Sequence, residues 1–385
     1  MMNVFGRNEN VTSLSYKPRL DGLRCLAIGS VMVFHYIFWL GGPFEAGYYG
    51  VNLFFVLSGF LITNILIKDG EESFKVRYVN FIGRRALRIF PVYYLTLLVM
   101  YIFNAPNIHE RLPYLATYTY NFIVPEIDWY KDAFAHYWSL CVEEQFYLFF
   151  PLIAISLCKY SRVLLIICVV LIVVAYLQLF FDIFNVHKYF TNVNYFKASS
   201  LLTHIAPLSI GASGAIIFRN RKLPAFFHLK GIEIAVIVTI ITVCYFLPWE
   251  KLISICSFLN LFLILKAYYA KFSVRSFDKL MTHPYVLYFG KISYGLYIYH
   301  QLISAYLDEF VMDPLWLKIP FEKFGFLSKL EYHPWFFKSF LYTFLTIIVA
   351  SYSYFKFEVP ILKFKDKLFG TRKRKPKTQL ATTDS

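Results

Sequence analysis

The sequence predicts an all-α, polytopic membrane protein with about ten transmembrane helices and both termini in the cytoplasm. Apolar residues make up 58% of the 385-residue chain and charged residues only 16%, which is too few to cover a large soluble core. The mean hydropathy of the whole chain is +0.51. The apolar residues also form runs long enough to cross a bilayer, so we expect one membrane bundle.

Ten apolar runs follow one another along the chain, and polar or charged segments separate them. We predict helices at 23–41, 48–68, 87–104, 138–158, 161–181, 203–218, 229–247, 251–270, 286–306 and 336–357. The domain boundaries follow from these runs. Residues 1–18 form a polar N-terminal tail, residues 19–360 the transmembrane domain and residues 361–385 a basic cytoplasmic tail.

Lysine and arginine are distributed unequally between the two sides of this topology. With the N-terminus in the cytoplasm, the inside segments hold 26 of them and the outside loops hold 8. This is the positive-inside pattern. The net charge of +15 is therefore explained by topology and attraction to anionic lipids, and we expect no nucleic-acid partner. The six cysteines form no CxxC pair, so neither a disulfide framework nor a metal site is predicted. No cleavable signal peptide is recognisable, and the first helix is expected to act as its own insertion signal.

Arg24 and His35 lie eleven residues apart in the first apolar run. In an unbroken α-helix they share one face, roughly 16 Å apart along the axis. Ionisable residues at membrane depth are costly and mark functional sites. Asn52, Glu143 or Glu144, and His300 are predicted at about the depth of His35 on three other helices. These residues are expected to line a cavity that opens toward the outside. Adjacent glutamates point about 100° apart, so only one of Glu143 and Glu144 is expected to face the centre of this cavity.

A basic cluster opens the predicted third helix at the cytoplasmic level, beside Arg24. Its members are Arg84, Arg85 and Arg88, of which Arg84 and Arg88 are expected to share a face. Arginine forks suit phosphate oxygens, which a bound ligand or a lipid headgroup could supply.

Four blocks of the sequence resemble the acyltransferase family 3 membrane proteins, which transfer acyl groups to sugar hydroxyls. The blocks are Arg19-Leu-Asp21-Gly-Leu-Arg24 with ten residues before His35, Gly50-Val-Asn52-Leu-Phe-Phe-Val-Leu-Ser58-Gly59-Phe60, Trp138-Ser139-Leu-Cys-Val-Glu143-Glu144-Gln145-Phe-Tyr147, and Ser293-Tyr294-Gly-Leu-Tyr297-Ile-Tyr-His300. Glu358-Val-Pro360 fits as well, and the order agrees over residues 17–360. Asn52 is a departure, because family members commonly have Asp there.

The resemblance implies an acyl-CoA donor from the cytoplasm and a glycan or lipid-linked sugar acceptor on the outer side of a bacterial cytoplasmic (inner) membrane. We expect O-acyl transfer, with acetyl-CoA as cosubstrate, to lipopolysaccharide O-antigen, capsule or exopolysaccharide. The arginines Arg24, Arg84, Arg85 and Arg88 are assigned to the CoA phosphates. His35 is assigned as general base with Glu143 as its partner, and Asn52 joins them at the same depth.

The remaining assignments concern the acceptor and the developing charge. Ser139, Ser58 and Tyr297 are candidate oxyanion or substrate donors, and Glu144, His300 and Trp138 are placed on the substrate side. A covalent acyl-histidine relay is the mechanistic variant. The chief alternative function is a proton-coupled transporter or flippase, which also uses intramembrane His and Glu. A purely structural polar bundle is the other alternative.

Overall fold

The computed structural model describes residues 16–38, 46–68, 72–128, 132–316, 318 and 334–369. The regular secondary structure of these residues consists of α-, π- and 3₁₀-helices, which confirms the all-α class. Residues 1–15 and 370–385 of the expected tails lie outside the described residues, whereas residues 361–369 belong to a helix.

Sixteen α-helices follow one another in the described residues. In chain order they are α1 (Pro18–Val33), α2 (Ala46–Leu66), α3 (Phe74–Ile102), α4 (Ile108–Ala116), α5 (Tyr137–Ser156), α6 (Ser161–Phe181), α7 (Val193–Ser199), α8 (Leu201–Phe218), α9 (Ile232–Phe246), α10 (Trp249–Tyr269), α11 (Arg275–Met281), α12 (Pro284–Lys291), α13 (Ser293–Leu307), α14 (Asp313–Trp316), α15 (Pro334–Ser353) and α16 (Val359–Phe369). Three π-helices continue α1, α13 and α15, at Phe34–Phe38, Asp308–Met312 and Tyr354–Glu358 respectively.

Eight helical stretches of the described residues are long and apolar enough to cross a membrane. They are Pro18–Ile37, Ala46–Leu66, Phe74–Ile102, Tyr137–Ser156, Ser161–Phe181, Val193–Phe218, Trp249–Tyr269 and Phe336–Phe364. The predicted helix at 229–247 corresponds to α9, which is apolar but has only 15 residues. The chain is therefore a multi-pass membrane protein.

Two predicted helices differ from the observed ones in a way that affects the site. The helix predicted at 286–306 is two helices, α12 and α13, which meet at Ile292. The helix predicted at 87–104 begins earlier, at Phe74, where Ser73 accepts a hydrogen bond from the Val76 amide. Hydropathy misses these first turns because they are basic, and the cluster of three arginines consequently lies inside α3 and not at its start.

Helix α2 lies at the centre of the bundle and packs against α1, α5, α8 and α10. Its contact with α8 depends on glycine. A Cβ at Gly59 would lie 1.9 Å from the Leu208 carbonyl oxygen, and one at Gly211 would lie 2.0 Å from the Val56 carbonyl oxygen. Small residues allow membrane helices to approach this closely. This close approach of α2 to α8 holds Ser58, which directly precedes Gly59, at a fixed position beside α5.

Candidate active site

A polar cavity of about 110 Å³ lies among α1, α2, α3, α5 and α13. Eight residues singled out from the sequence line it: Arg24, Ser58, Arg85, Arg88, Ser139, Glu143, Glu144 and Tyr297. Residues from four separate sequence blocks are thus brought to one place. We call the part around Arg24, Arg85 and Arg88 the arginine layer.

The cations of the arginine layer have neighbours that orient them. Arg24 donates to the Asp21 carboxylate at 2.5 Å, and the same carboxylate accepts from the Tyr16 hydroxyl at 2.7 Å. The guanidinium carbon of Arg85 lies 4.9 Å from the ring centroid of Tyr147, which is a cation–π distance. The layer therefore presents ordered guanidinium groups to the cavity.

Arg84 does not line the cavity, although it lies one helical turn before Arg88 on α3. Its Nε and one Nη donate to the Phe369 carbonyl oxygen at the end of α16, at 3.0 and 2.5 Å. Arg84 and Arg85 are adjacent and so point about 100° apart on α3. Of the two, Arg85 lines the cavity and Arg84 does not.

The two glutamates of α5 both border the cavity, although only one was expected to do so. Glu143 accepts a hydrogen bond of 2.7 Å from Ser58, and Tyr147 donates to the same serine oxygen at 3.1 Å. Glu144 also borders a second cavity of about 750 Å³, whose wall is mostly apolar and which lies among α3, α5, α6 and α8. The hydrogen bond that the structure shows for Glu143 thus comes from Ser58, whereas the sequence suggested His35 as its partner.

A hydroxyl pair connects α5 with α13 at the outer end of the cavity. The hydroxyls of Ser139 and Tyr297 lie 2.5 Å apart, and each lies 3.1 Å from the carbonyl oxygen of His136. Two hydroxyl protons serve three contacts, so one proton can turn to a bound ligand without breaking the whole arrangement. This is suitable for stabilising a developing negative charge.

Three imidazoles lie beyond the hydroxyl pair, with His136 and His300 buried and His35 partly buried, and we call His35, His136 and His300 the histidine layer. His300 Nε2 lies 3.2 Å from His35 Nδ1, and the two ring centroids are 4.9 Å apart. The centroid of His136 is 4.7 Å from that of His300. The site therefore places His35 and His300, from the first and ninth predicted helices, together with His136, which lies two residues before the fourth.

The acceptors around these rings assign the tautomers of the His35–His300 pair. His300 Nδ1 lies 2.7 Å from the Tyr297 carbonyl and must donate to it, so a neutral His300 carries its lone pair on Nε2. The facing nitrogen, His35 Nδ1, must then carry a proton, which it also directs to the Val31 carbonyl at 3.0 Å. In a neutral His35 the basic lone pair is consequently on Nε2.

The expected alignment of Arg24 and His35 on one face is altered by the backbone. The chain is α-helical through Val33, but His35 lies in the π-helix Phe34–Phe38. A π-helix has i→i+5 hydrogen bonds and more residues per turn, so it rotates the following side chains relative to an α-helix. Arg24 lines the polar cavity, whereas His35 packs beside His300 at its outer end.

Asn52 and Trp138 lie apart from the residues with which the sequence grouped them. Asn52 donates to Ser257 at 2.8 Å and accepts from Asn260 at 2.9 Å, so its amide is directed to α10 and not to His35. Trp138 is buried, and its ring centroid lies 4.8 Å from that of His204. Neither residue lines the polar cavity.

Sequence reasoning assigned no role to two residues that the structure places in this region, His136 and Tyr147. Tyr147 follows Glu143 by four residues, which is one helical turn, and this spacing could have indicated their shared face. His136 precedes Ser139 by three residues and could have been found in the same way. No group of three or more His, Cys, Asp or Glu residues in the described part of the chain has the arrangement of a metal site.

The comparisons with known proteins agree with the resemblance seen in the sequence. The family model described as an acyltransferase domain matches residues 17–361. The O-acetyltransferase OatA of Staphylococcus aureus strain MRSA252 is 27% identical, over 98% of this chain and 62% of its own length. The protein named "Putative O-acetyltransferase SAS0844" of S. aureus strain MSSA476 is 26% identical, over 78% of this chain and 52% of its own. The chain thus spans between half and two thirds of the length of these relatives. No solved structure matches it.

Proposed function

The chain belongs to the acyltransferase family whose model matches residues 17–361, and from this premise we propose that it is a membrane O-acetyltransferase. It transfers an acetyl group from acetyl-CoA to a hydroxyl of a bacterial cell-surface glycan, in the cytoplasmic membrane. The observation that carries the proposal is that the arginine layer and the Ser139–Tyr297 hydroxyl pair line one cavity, while His136 and His300 of the histidine layer pack against Tyr297.

The arginine layer supports the donor. Guanidinium groups bind phosphate oxygens through paired hydrogen bonds, and CoA carries phosphates at the end remote from its thioester. Arg24, Arg85 and Arg88 would hold these phosphates at the predicted cytoplasmic end of the cavity. The slender arm of CoA would extend along the cavity and bring the thioester to the hydroxyl pair. Arg84, which binds the end of α16, has no part in this.

The histidine layer supports the chemistry. His35 Nε2 takes the proton of the acceptor hydroxyl while its oxygen attacks the thioester carbonyl carbon. The carbonyl oxygen becomes negative and receives hydrogen bonds from Ser139 and Tyr297. The carbon–sulfur bond then breaks, the acetyl ester is formed, and the CoA sulfur takes up the proton from His35. His300 keeps His35 in the required tautomer through its Nε2. An acetyl-histidine intermediate on His35 is the variant that single-turnover kinetics would identify.

The test measures O-acetyl groups on the surface glycan of a bacterial host whose own copy of the gene is deleted. The wild-type chain should restore them, and membranes that contain it should release CoA from acetyl-CoA only when de-O-acetylated glycan is present. His35→Ala should give no ester while the protein accumulates in the membrane. Acetylation retained by His35→Ala would refute the base assignment.

The alternative, a transporter or flippase, predicts a different result in the same membranes. A transporter would move glycan across the membrane without acetyl-CoA and would release no CoA. Consumption of acetyl-CoA that depends on both glycan and His35 would therefore exclude it.

A further inference from the structure

We propose that His136 is a second acceptor-binding residue, whose Nδ1 receives a hydrogen bond from a neighbouring hydroxyl of the same sugar that His35 deprotonates. The inference rests on the proposed function. It adds a specificity rule, because the preferred acceptor then presents two hydroxyls and not one.

The first observation is an unpaired nitrogen in a buried ring. His136 is 3% exposed, and its Nε2 lies 3.1 Å from the Ile298 carbonyl oxygen. Since a carbonyl only accepts, Nε2 carries the proton, and a neutral His136 has its lone pair on Nδ1. That Nδ1 atom is buried and has no hydrogen-bond partner in the described structure. Buried polar atoms are nearly always paired, so an orphaned one requires an explanation.

The second observation is that the ring is held in place by its surroundings. The backbone N–H of His136 donates to the Gln301 side chain at 3.1 Å, and its carbonyl oxygen accepts from the Ser139–Tyr297 hydroxyl pair. Together with the Ile298 bond, these contacts tie His136 to α13 at several points. The ring therefore cannot rotate freely to find a partner for Nδ1.

The third observation is the position of the ring relative to the base. The centroids of His35 and His136 lie 4.9 and 4.7 Å from that of His300, so the two rings flank one imidazole. One of them offers a lone pair on Nε2 and the other on Nδ1. A sugar carries neighbouring hydroxyls, each an O–H donor, so a sugar bound beside these rings can use both nitrogens. Fixing two hydroxyls also orients the one that reacts.

The chemistry of amides gives a matched pair of variants. Glutamine places its amide near the position of Nε2, so His136→Gln keeps a donor for Ile298 and removes the acceptor at Nδ1. Asparagine places its amide near Nδ1, so His136→Asn keeps a polar group there and loses the Ile298 bond. The acceptor probe is de-O-acetylated surface glycan from the deletion host, and acetyl-CoA is varied separately.

We expect His136→Gln to raise the KM for glycan by about tenfold or more, the effect of one lost hydrogen bond to a buried partner. The KM for acetyl-CoA and the Tm of the detergent-solubilised protein should stay at wild-type values. His136→Asn should retain a KM for glycan closer to that of wild type, measured per amount of folded protein. A purely structural histidine, or one that binds only a buried water, predicts the reverse order: normal glycan KM in His136→Gln, and loss of Tm and activity together in His136→Asn.

The reverse order would overturn the inference, and each variant is informative alone if the other does not accumulate. Wild-type protein that transfers no acetyl group would refute the proposed function itself. Normal wild-type transfer with an unaffected His136→Gln variant would refute only the role of His136.

Discussion

The arginine layer and the histidine layer differ in the way they handle charge. The arginine layer keeps permanent cations, with Asp21 beside Arg24 and an aromatic ring beside Arg85. The histidine layer consists of imidazoles that are buried or partly buried, and their hydrogen bonds assign the tautomers of the neutral forms of His300 and His35. Permanent charge suits binding of a phosphorylated donor, whereas proton transfer needs a group that can be neutral or charged. This difference is the basis for proposing that the arginine layer binds the donor and that the histidine layer transfers the proton.

The largest effect should come from breaking the histidine layer. His300→Ala removes one of the two acceptors of the His35 Nδ1 proton and leaves the Val31 carbonyl, and we expect kcat to fall by about 10²-fold, the lower end of the range for general-base catalysis. The donor KM should change little, because the arginine layer is intact. His204→Gln is the control, since His204 is also a buried histidine but contacts the Ala198 carbonyl and Trp138 instead. Equal losses in both variants would contradict a specific role for His300.

The arginine layer should respond in KM and not in kcat. Arg85→Gln removes one guanidinium from the cavity, and a lost charge-assisted hydrogen bond of about 1.5–3 kcal/mol corresponds to a rise of roughly tenfold to a hundredfold in the KM for acetyl-CoA. Arg84→Gln is the adjacent control with the same change of charge, and its KM should stay near that of wild type. Steady-state kinetics at saturating glycan would measure both. A larger effect at Arg84 than at Arg85 would contradict the division of the cluster.

The contact between α2 and α8 at Gly59 should affect stability. Gly59→Ala inserts a methyl group where the Leu208 carbonyl oxygen would be 1.9 Å away, and overpacking of this kind costs about 1–3 kcal/mol. The Tm should fall. Donor binding at the arginine layer and acetyl transfer at the histidine layer should both weaken, per amount of folded protein, because Ser58 moves. Gly29→Ala is the control, since a Cβ there meets nothing within 4 Å. An unchanged Tm in Gly59→Ala would show that α2 and α8 can separate without consequence.

The smallest effect should come from an ion pair remote from both layers. Arg19 donates to Asp278 at 2.6 and 2.9 Å, and this hydrogen bonding lowers the pKa of Asp278 below its ordinary value of 3.8. A carboxyl with a lowered folded-state pKa stabilises the protein above its ordinary pKa, and that contribution is lost as the pH falls through the lower value. We expect Tm to decline below about pH 4 by an amount equivalent to no more than about 1 kcal/mol. Asp278→Asn should remove this part of the pH dependence, and transfer kinetics at neutral pH should not change.

Much of the site was predictable because the charge of each residue, and its expected depth in the membrane, follow from the order of residues along the chain. A topology from lysine and arginine counts placed His35 and His300 at one depth, and the structure places them in contact. Direction around each helix axis was harder to predict, since it depends on where a helix begins and whether it stays α-helical. Since α3 begins at Phe74, Arg84 lies inside a helix, and its side chain points to the end of α16. Since α2 has neighbours on several sides, Asn52 can point to α10.

The sequence by itself determined the class of the protein and predicted its orientation in the membrane and the residue types at each depth, because hydrophobic length and positive charge act locally and add along the chain. Only the tertiary structure decided which of those residues meet. It separated Arg84 from Arg85, paired Glu143 with Ser58, and brought His136 to His300. These outcomes depend on helix rotation, on a π-helical turn and on glycines that let backbones touch, and such properties arise from packing between distant segments.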